Sequence, residues 1–155
     1  MVHTIGMGEY LVTDREGDAI RTFSLSTCVA VTAYCPHKKA AGMVHVVLPS
    51  PFHHRDRRER PGYFALTGVP LLIETICHRY GCRREELQIK MFGGMEAKKG
   101  LDIFQVGKQN INTARYALRR LGLRVKKSDL GGNMSRTIEM EVKTGRVKVY
   151  LQPLG

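Results

Sequence analysis

The sequence predicts an α+β domain, a layered sandwich of mixed and antiparallel β-sheets with two main helices packed on one side. Three observations carry this. Short runs rich in Val, Ile, Thr and Tyr, bounded by Gly, Pro and Asp, recur along the chain. Only two stretches repeat apolar residues at helical spacing, so strands outnumber helices and a doubly wound sheet is disfavoured. The 155 residues, 43% of them apolar, suit one domain over 1–155, long enough to bury roughly 70% of its unfolded surface.

The elements follow in order. Val2 to Thr13 reads as a strand broken by Gly6 and Gly8, and glycines inside strands mark a bulge or a close backbone approach. A turn at Asp14–Asp18 leads into Ala19–Leu25, with Ile20, Thr22 and Ser24 on one face and Arg21, Phe23 and Leu25 on the other. Two apolar strands come next, one headed by Cys28 and one spanning Ala40–Leu48 with a single histidine, His45. The short turn at Pro36–Lys39 makes them an antiparallel hairpin. Residues 53–62 have no apolar side chain and read as a solvated loop.

The first helix is expected over Thr67–Tyr80, where Val69, Leu72, Ile73, Ile76, Cys77 and Tyr80 recur at helical spacing. Thr67 is its candidate cap and Gly81 its stop, and Pro70 is tolerable only in the first turn. Leu87–Phe92 is a strand ending at Gly93–Gly94, and Met95–Gly107 is irregular. The second helix, Lys108–Leu121, turns Ile111, Ala114, Leu118 and Leu121 inward and Lys108, Arg115, Arg119 and Arg120 outward. A strand at Leu123–Lys126, a glycine-rich loop at Asp129–Arg136 and a hairpin of Arg136–Val142 with Arg146–Leu151 complete the chain.

No apolar run approaches the ~20 residues of a membrane span, and the first residues lack the pattern of a secretory signal, so a cytoplasmic setting is expected. There the four cysteines, Cys28, Cys35, Cys77 and Cys82, are read as free thiols. Formal net charge is +11, and residues 79–155, with 17 basic and 7 acidic side chains, hold almost all of it. That asymmetry suits an acidic partner meeting one surface. It equally describes a basic protein with no charged partner.

The chemistry concentrates between Thr22 and His45. Cys28 follows a run of hydroxyl residues, Ser24, Ser26 and Thr27, at a loop-to-strand junction. There a thiol can be exposed while its backbone N–H stays free for an oxyanion. His45 on the next strand supplies the base that a thiol of ordinary pKa ~8.5 needs near pH 7. Thr22, on the preceding strand, carries a hydroxyl able to hold the imidazole in one tautomer. Spacing alone leaves open the alternative of a core cysteine and a satisfied core histidine.

Other constellations are weaker. Cys35, His37, Cys77, Cys82, His53 and His54 lack the paired short spacings of a zinc site, and neither metal nor cofactor is expected. Arg115, Arg119, Arg120, Lys126 and Lys127 form a basic surface without any nucleic-acid recognition signature. Gly93–Gly94 and Gly131–Gly132–Asn133 do not match a phosphate-cradling loop and read as tight turns near the site.

In order, these residues resemble the CheD family of chemoreceptor glutamine deamidases. The matching pieces are Ile5–Tyr10, Leu25–Val31, Gly42–Pro49, Phe92–Gly94, the loop from Gly131 to Arg136 and the closing hairpin at Thr144–Gly145. The most specific feature is a Thr six residues before the Cys and a His seventeen after it, places filled by Thr22, Cys28 and His45. The resemblance implies a protein-glutamine deamidase with Cys28 as nucleophile, His45 as base and Thr22 as the group orienting it. It implies chemoreceptor cytoplasmic helices as substrate and a CheC-type phosphatase as regulatory partner; no nucleic acid, no membrane insertion and a monomeric chain are further expectations. The alternatives are a thiol hydrolase with another protein target, a non-catalytic CheD-like module that docks to CheC or receptors, and a basic nucleic-acid-binding domain.

Overall fold

The computed structural model describes residues 1–96 and 105–153. Among these residues nine strands form two sheets. Strands β1 (Val2–Thr4), β3 (Ala19–Leu25), β8 (Met134–Glu141) and β9 (Val147–Pro153) make one sheet in that order. The second sheet runs β2 (Tyr10–Thr13), β5 (Ala40–Val46), β4 (Val29–Cys35), β6 (Gln88–Gly93), β7 (Val125–Leu130). Pairing is antiparallel except for β1–β3 and β6–β7, so the sheets are mixed as expected.

Two helices, α2 (Ala65–Tyr80) and α3 (Val106–Arg120), share one core with the second sheet. The layers are therefore sheet, sheet, helices, and the central sheet is buried on both faces. Alternation along its two inner strands shows this. Val29, Val31, Ala33 and Cys35 on β4, with Ala40, Val44 and Val46 on β5, join Val69, Leu72, Ile73, Ile76, Ala114 and Leu118 of the helices. The intervening Ala30, Tyr34, Ala41 and Met43 join Ile20, Ile138 and Met140 of the other sheet. Every residue of β4 and β5 is buried, which is why both read as continuous apolar runs.

Several expectations needed correction. The glycine-broken strand over Val2–Thr13 is two strands in different sheets, and the Gly6–Glu9 segment is the crossing between them. Gly8, at φ 78°, sends its N–H to the His45 carbonyl (2.7 Å). Leu25 does not oppose Thr22 across its strand. A bulge between these two residues, with Ser24 at φ 53°, shifts the phase so that Thr22 and Leu25 are both fully buried.

Residues His54–Glu59 of the expected solvated loop form a short helix, α1, with no buried residue. Apolar periodicity could not reveal it because it has no apolar face. Phe64, rather than Thr67, caps α2, and the Thr67 hydroxyl donates to the Pro61 carbonyl. Pro70 lies inside α2 beyond its first turn. The irregular segment expected over Met95–Gly107 falls largely outside the described residues.

Candidate active site

The site is built where the two sheets face each other. The β4–β5 ladder pairs Ala30 with His45 and ends with Val29 against Val46. Cys28 precedes that last rung on the Ala30 face, which makes it the diagonal neighbour of His45. Diagonal positions on one sheet face lie about 7–8 Å apart, within reach of facing side chains. Thr22 reaches the same interlayer from β3 in the opposite sheet. All three are buried, at 7%, 3% and 0% exposure for Cys28, His45 and Thr22.

Hydrogen bonding fixes the histidine tautomer. The Thr22 hydroxyl donates to the Ile5 carbonyl (2.8 Å), which can only accept, and the same oxygen lies 2.7 Å from His45 Nδ1. A hydroxyl has one proton. The second contact is therefore an Nδ1–H donating to Thr22, and Nε2 carries the lone pair. Nε2 is buried with no hydrogen-bond partner among the described residues, the Cys28 sulfur included. Burial pulls the His45 pKa down to about 4, against a weaker upward pull from Glu9. The ring is thus a neutral base at physiological pH, aimed by a threonine. We expect Thr22→Ala to lower kcat about 10- to 100-fold with KM nearly unchanged, and Thr22→Ser to restore most of it; steady-state kinetics on the two variants tests this.

The thiol is held by its backbone. The Cys28 carbonyl accepts the Gly94 N–H (2.8 Å), and Ser26 accepts the Met95 N–H (2.7 Å). Gly93 sits at φ 106°, and a Cβ there would lie 2.3 Å from the Cys28 oxygen, so only glycine allows this approach. The Gly131 N–H donates to Gly93 (2.9 Å) and the Glu96 N–H to Gly132 (2.8 Å). Buried Arg136 braces the same loop through Asp129, Met134 and Gly131. Gly93 thus closes β6, Gly94 carries its pairing on to the Cys28 segment, and Gly132–Asn133 is a bend between β7 and β8, so neither glycine pair is the tight turn expected. Burial pushes the Cys28 thiol up, its own backbone N–H pulling the other way.

The remaining candidates lie elsewhere. Cys35 sits at the far end of β4, where its thiol donates to Glu86 Oε2 (3.5 Å). Cys82 packs there too, its thiol pushed up to about 12 by burial and by the Cys35 thiol, with Cys77 half-buried nearby. Among the described residues no three His, Cys, Asp or Glu side chains are placed to hold a metal ion. His37, His53 and His54 are exposed. The sequence reading missed Asn110, a fully buried polar residue on α3 next to the site. Its signal was an Asn in step with inward Ala114, Ala117 and Leu118.

A buried thiol and a neutral, hydroxyl-oriented imidazole, brought by adjacent strands into one interlayer, are the equipment of a thiol-dependent acyl-transfer enzyme. The family model described as CheD chemotactic sensory transduction matches residues 47–150, a span that begins just after His45. A protein of Syntrophotalea carbinolica called a probable chemoreceptor glutamine deamidase CheD is 44% identical over 148 residues, 94% of this chain and 91% of that one. A protein of Pyrococcus abyssi with the same description is 33% identical over 147 residues, 94% and 88% of the two chains. The chain belongs to the CheD family. Among solved structures, a Bacillus licheniformis hypothetical protein, YfiH, shares the fold at a TM-score of 0.55 and 14% identity. The match spans 94% of this chain and 61% of that one.

Proposed function

We propose that this protein is an amidohydrolase that converts glutamine side chains of chemoreceptors to glutamate, releasing ammonia, with Cys28, His45 and Thr22 as its working residues. The observation that carries the residue assignment is the Thr22–His45 contact, because it leaves the lone pair on a buried, unpartnered Nε2 of the residue diagonal to Cys28. Nε2 takes the thiol proton as sulfur attacks the glutamine amide carbon. The carbonyl becomes an oxyanion, which the Cys28 N–H stabilises. The imidazolium then protonates the leaving nitrogen, the C–N bond breaks and ammonia departs. Water, deprotonated by the same Nε2, attacks the thioester. The C–S bond breaks, leaving glutamate, and the thiol regains its proton. No cofactor enters this sequence.

Mass spectrometry of a chemoreceptor cytoplasmic fragment, before and after incubation, tests the activity. Glutamine-to-glutamate conversion that depends on the protein is expected, and an unchanged fragment would refute it. The proposal also includes a single domain over 1–155, a monomeric chain, a cytoplasmic setting and regulation by a CheC-type phosphatase. Among the described residues no helix is long and apolar enough to cross a membrane.

Charge supports an acidic partner. Lys90 and Lys127 are register neighbours on β6 and β7, and the Lys90 ammonium donates to the Gly145 carbonyl beside Arg146 (3.3 Å). Partial burial, with Lys126, Lys127 and Arg146 nearby, pulls the Lys90 pKa down. On the other side of the central sheet, the outer face of α3 presents a separate basic surface, Lys108, Arg115, Arg119 and Arg120, all exposed. If this surface steers receptor encounter, association should slow about tenfold between low and physiological ionic strength. Stopped-flow binding measures it, and a salt-independent rate would remove the steering role.

A further inference from the structure

The β4–β5 ladder stops one rung short of the thiol. Beyond Val29–Val46 the strands diverge. The Val47 and Leu48 N–H groups turn to the Tyr63 carbonyl (2.8 and 3.2 Å), while the Cys28 segment turns to Gly94 and Met95. Thr27 and Val47 are thereby left with carbonyls where the next rungs would have been. A single side chain fills the gap. Asn110 Nδ2 donates to Thr27 O and to Val47 O, both at 2.9 Å. Thr27 adjoins Cys28, and Val47 is two residues from His45.

We propose that Asn110 is a positioning residue whose carboxamide fixes the separation between the Cys28 loop and the His45 strand; the inference rests on the reading of Cys28 and His45 as the reacting pair. A primary amide nitrogen has two N–H bonds, and both are used here, one for each segment. The reversed amide would set an oxygen against two carbonyls, so the orientation is fixed. The geometry suits alignment better than stability. Asn110 is fully buried, and its Oδ1 has no partner among the described residues, a desolvation cost that an apolar side chain would avoid. A leucine would complete the apolar face of Ile111, Ala114 and Leu118, yet it could not tie the two strand ends together. Reacting groups need alignment closer than packing alone enforces, and misplacement by about 1 Å can cost about 100-fold in rate.

The test uses Asn110→Leu, which keeps the branched skeleton at a larger volume and loses both donors, and Asn110→Ser, which is shorter and carries one hydroxyl donor. Far- and near-UV circular dichroism establishes the folded fraction. Iodoacetamide modification of Cys28, followed by peptide mass mapping, gives the ratio of its rate at about pH 7 to that at about pH 10. Taken on the folded fraction, this ratio reports help from His45. It also needs no receptor. His45→Ala provides the reference for no help.

The expected result is a fall in the ratio for folded Asn110→Leu toward the His45→Ala value, with a smaller fall for Asn110→Ser. On a receptor fragment, kcat should drop about 100-fold for Asn110→Leu with KM within about twofold. A wild-type ratio in folded Asn110→Leu, with His45→Ala still reducing it, would overturn the inference and leave the reacting pair intact. Failure of both Asn110 variants to fold would also overturn it, assigning Asn110 to stability alone. A ratio unchanged in His45→Ala itself would instead remove the pair, and the inference with it.

Discussion

Replacing Cys28 with alanine is expected to reduce glutamine conversion to background, and His45→Ala to lower kcat/KM by roughly 10³- to 10⁴-fold. Without the sulfur there is no acyl-enzyme. Without the imidazole the thiol, which burial pushes up from its ordinary value, stays protonated at neutral pH. The folds should survive. Cys28 lies at the end of a ladder whose other rungs are untouched, and its carbonyl bond to Gly94 belongs to the backbone. His45→Ala removes a buried ring from the interlayer and should cost stability on the order of 2–4 kcal/mol. Receptor-fragment mass spectrometry with parallel thermal melts checks both. A folded Cys28→Ala protein that still produced glutamate would exclude the thiol mechanism.

The second large effect is a loss of stability in acid. His45 titrates near 6.5 in an unfolded chain and about 4 in the folded one. Between these values the unfolded state binds a proton that the folded state refuses, so stability falls as pH falls. Its contribution is fully present above pH 6.5 and is lost on the way down to about 4. A shift of this size corresponds to about 3 kcal/mol. Urea denaturation at pH 7 and at pH 4.5 should show that loss in the wild type and a much smaller one in His45→Gln. Equal acid sensitivity in both would assign the effect to other groups. In kinetics, the same low value keeps the base unprotonated through the neutral range. The acid limb of kcat/KM should then lie near pH 4, well below the value of a free imidazole.

Much of this was legible in the chain. Strands β3, β4 and β5 announce themselves by β-branched runs between turn signals, and α2 and α3 by apolar residues at helical spacing. The candidate site was legible as residue types: a thiol after hydroxyls, a lone imidazole in an apolar strand and a threonine one strand earlier. Gly8 also spoke, since it marks a close approach of backbone to the site, whereas the close approach at Gly93 was not read from the chain. What failed was local phase. The bulge at Ser24 turned Leu25 to the face opposite the one that alternation predicts, because an inserted residue shifts a period-two pattern without any mark in the pattern itself. Helix α1 was missed because it buries nothing.

The sequence by itself determined the layered α+β architecture, the basic second half and which thiol, imidazole and hydroxyl are the candidates. Only the tertiary structure decided that Thr22 and His45 meet across two sheets, that Nδ1 holds the proton and Nε2 the lone pair, and that Asn110 ties the diverging strand ends. The physical reason is separation along the chain. Thr22 and His45 are 23 residues apart, and Asn110 is 83 from Thr27. Periodicity reports which face a residue takes within its own element. Which faces then meet is set by packing the layers together.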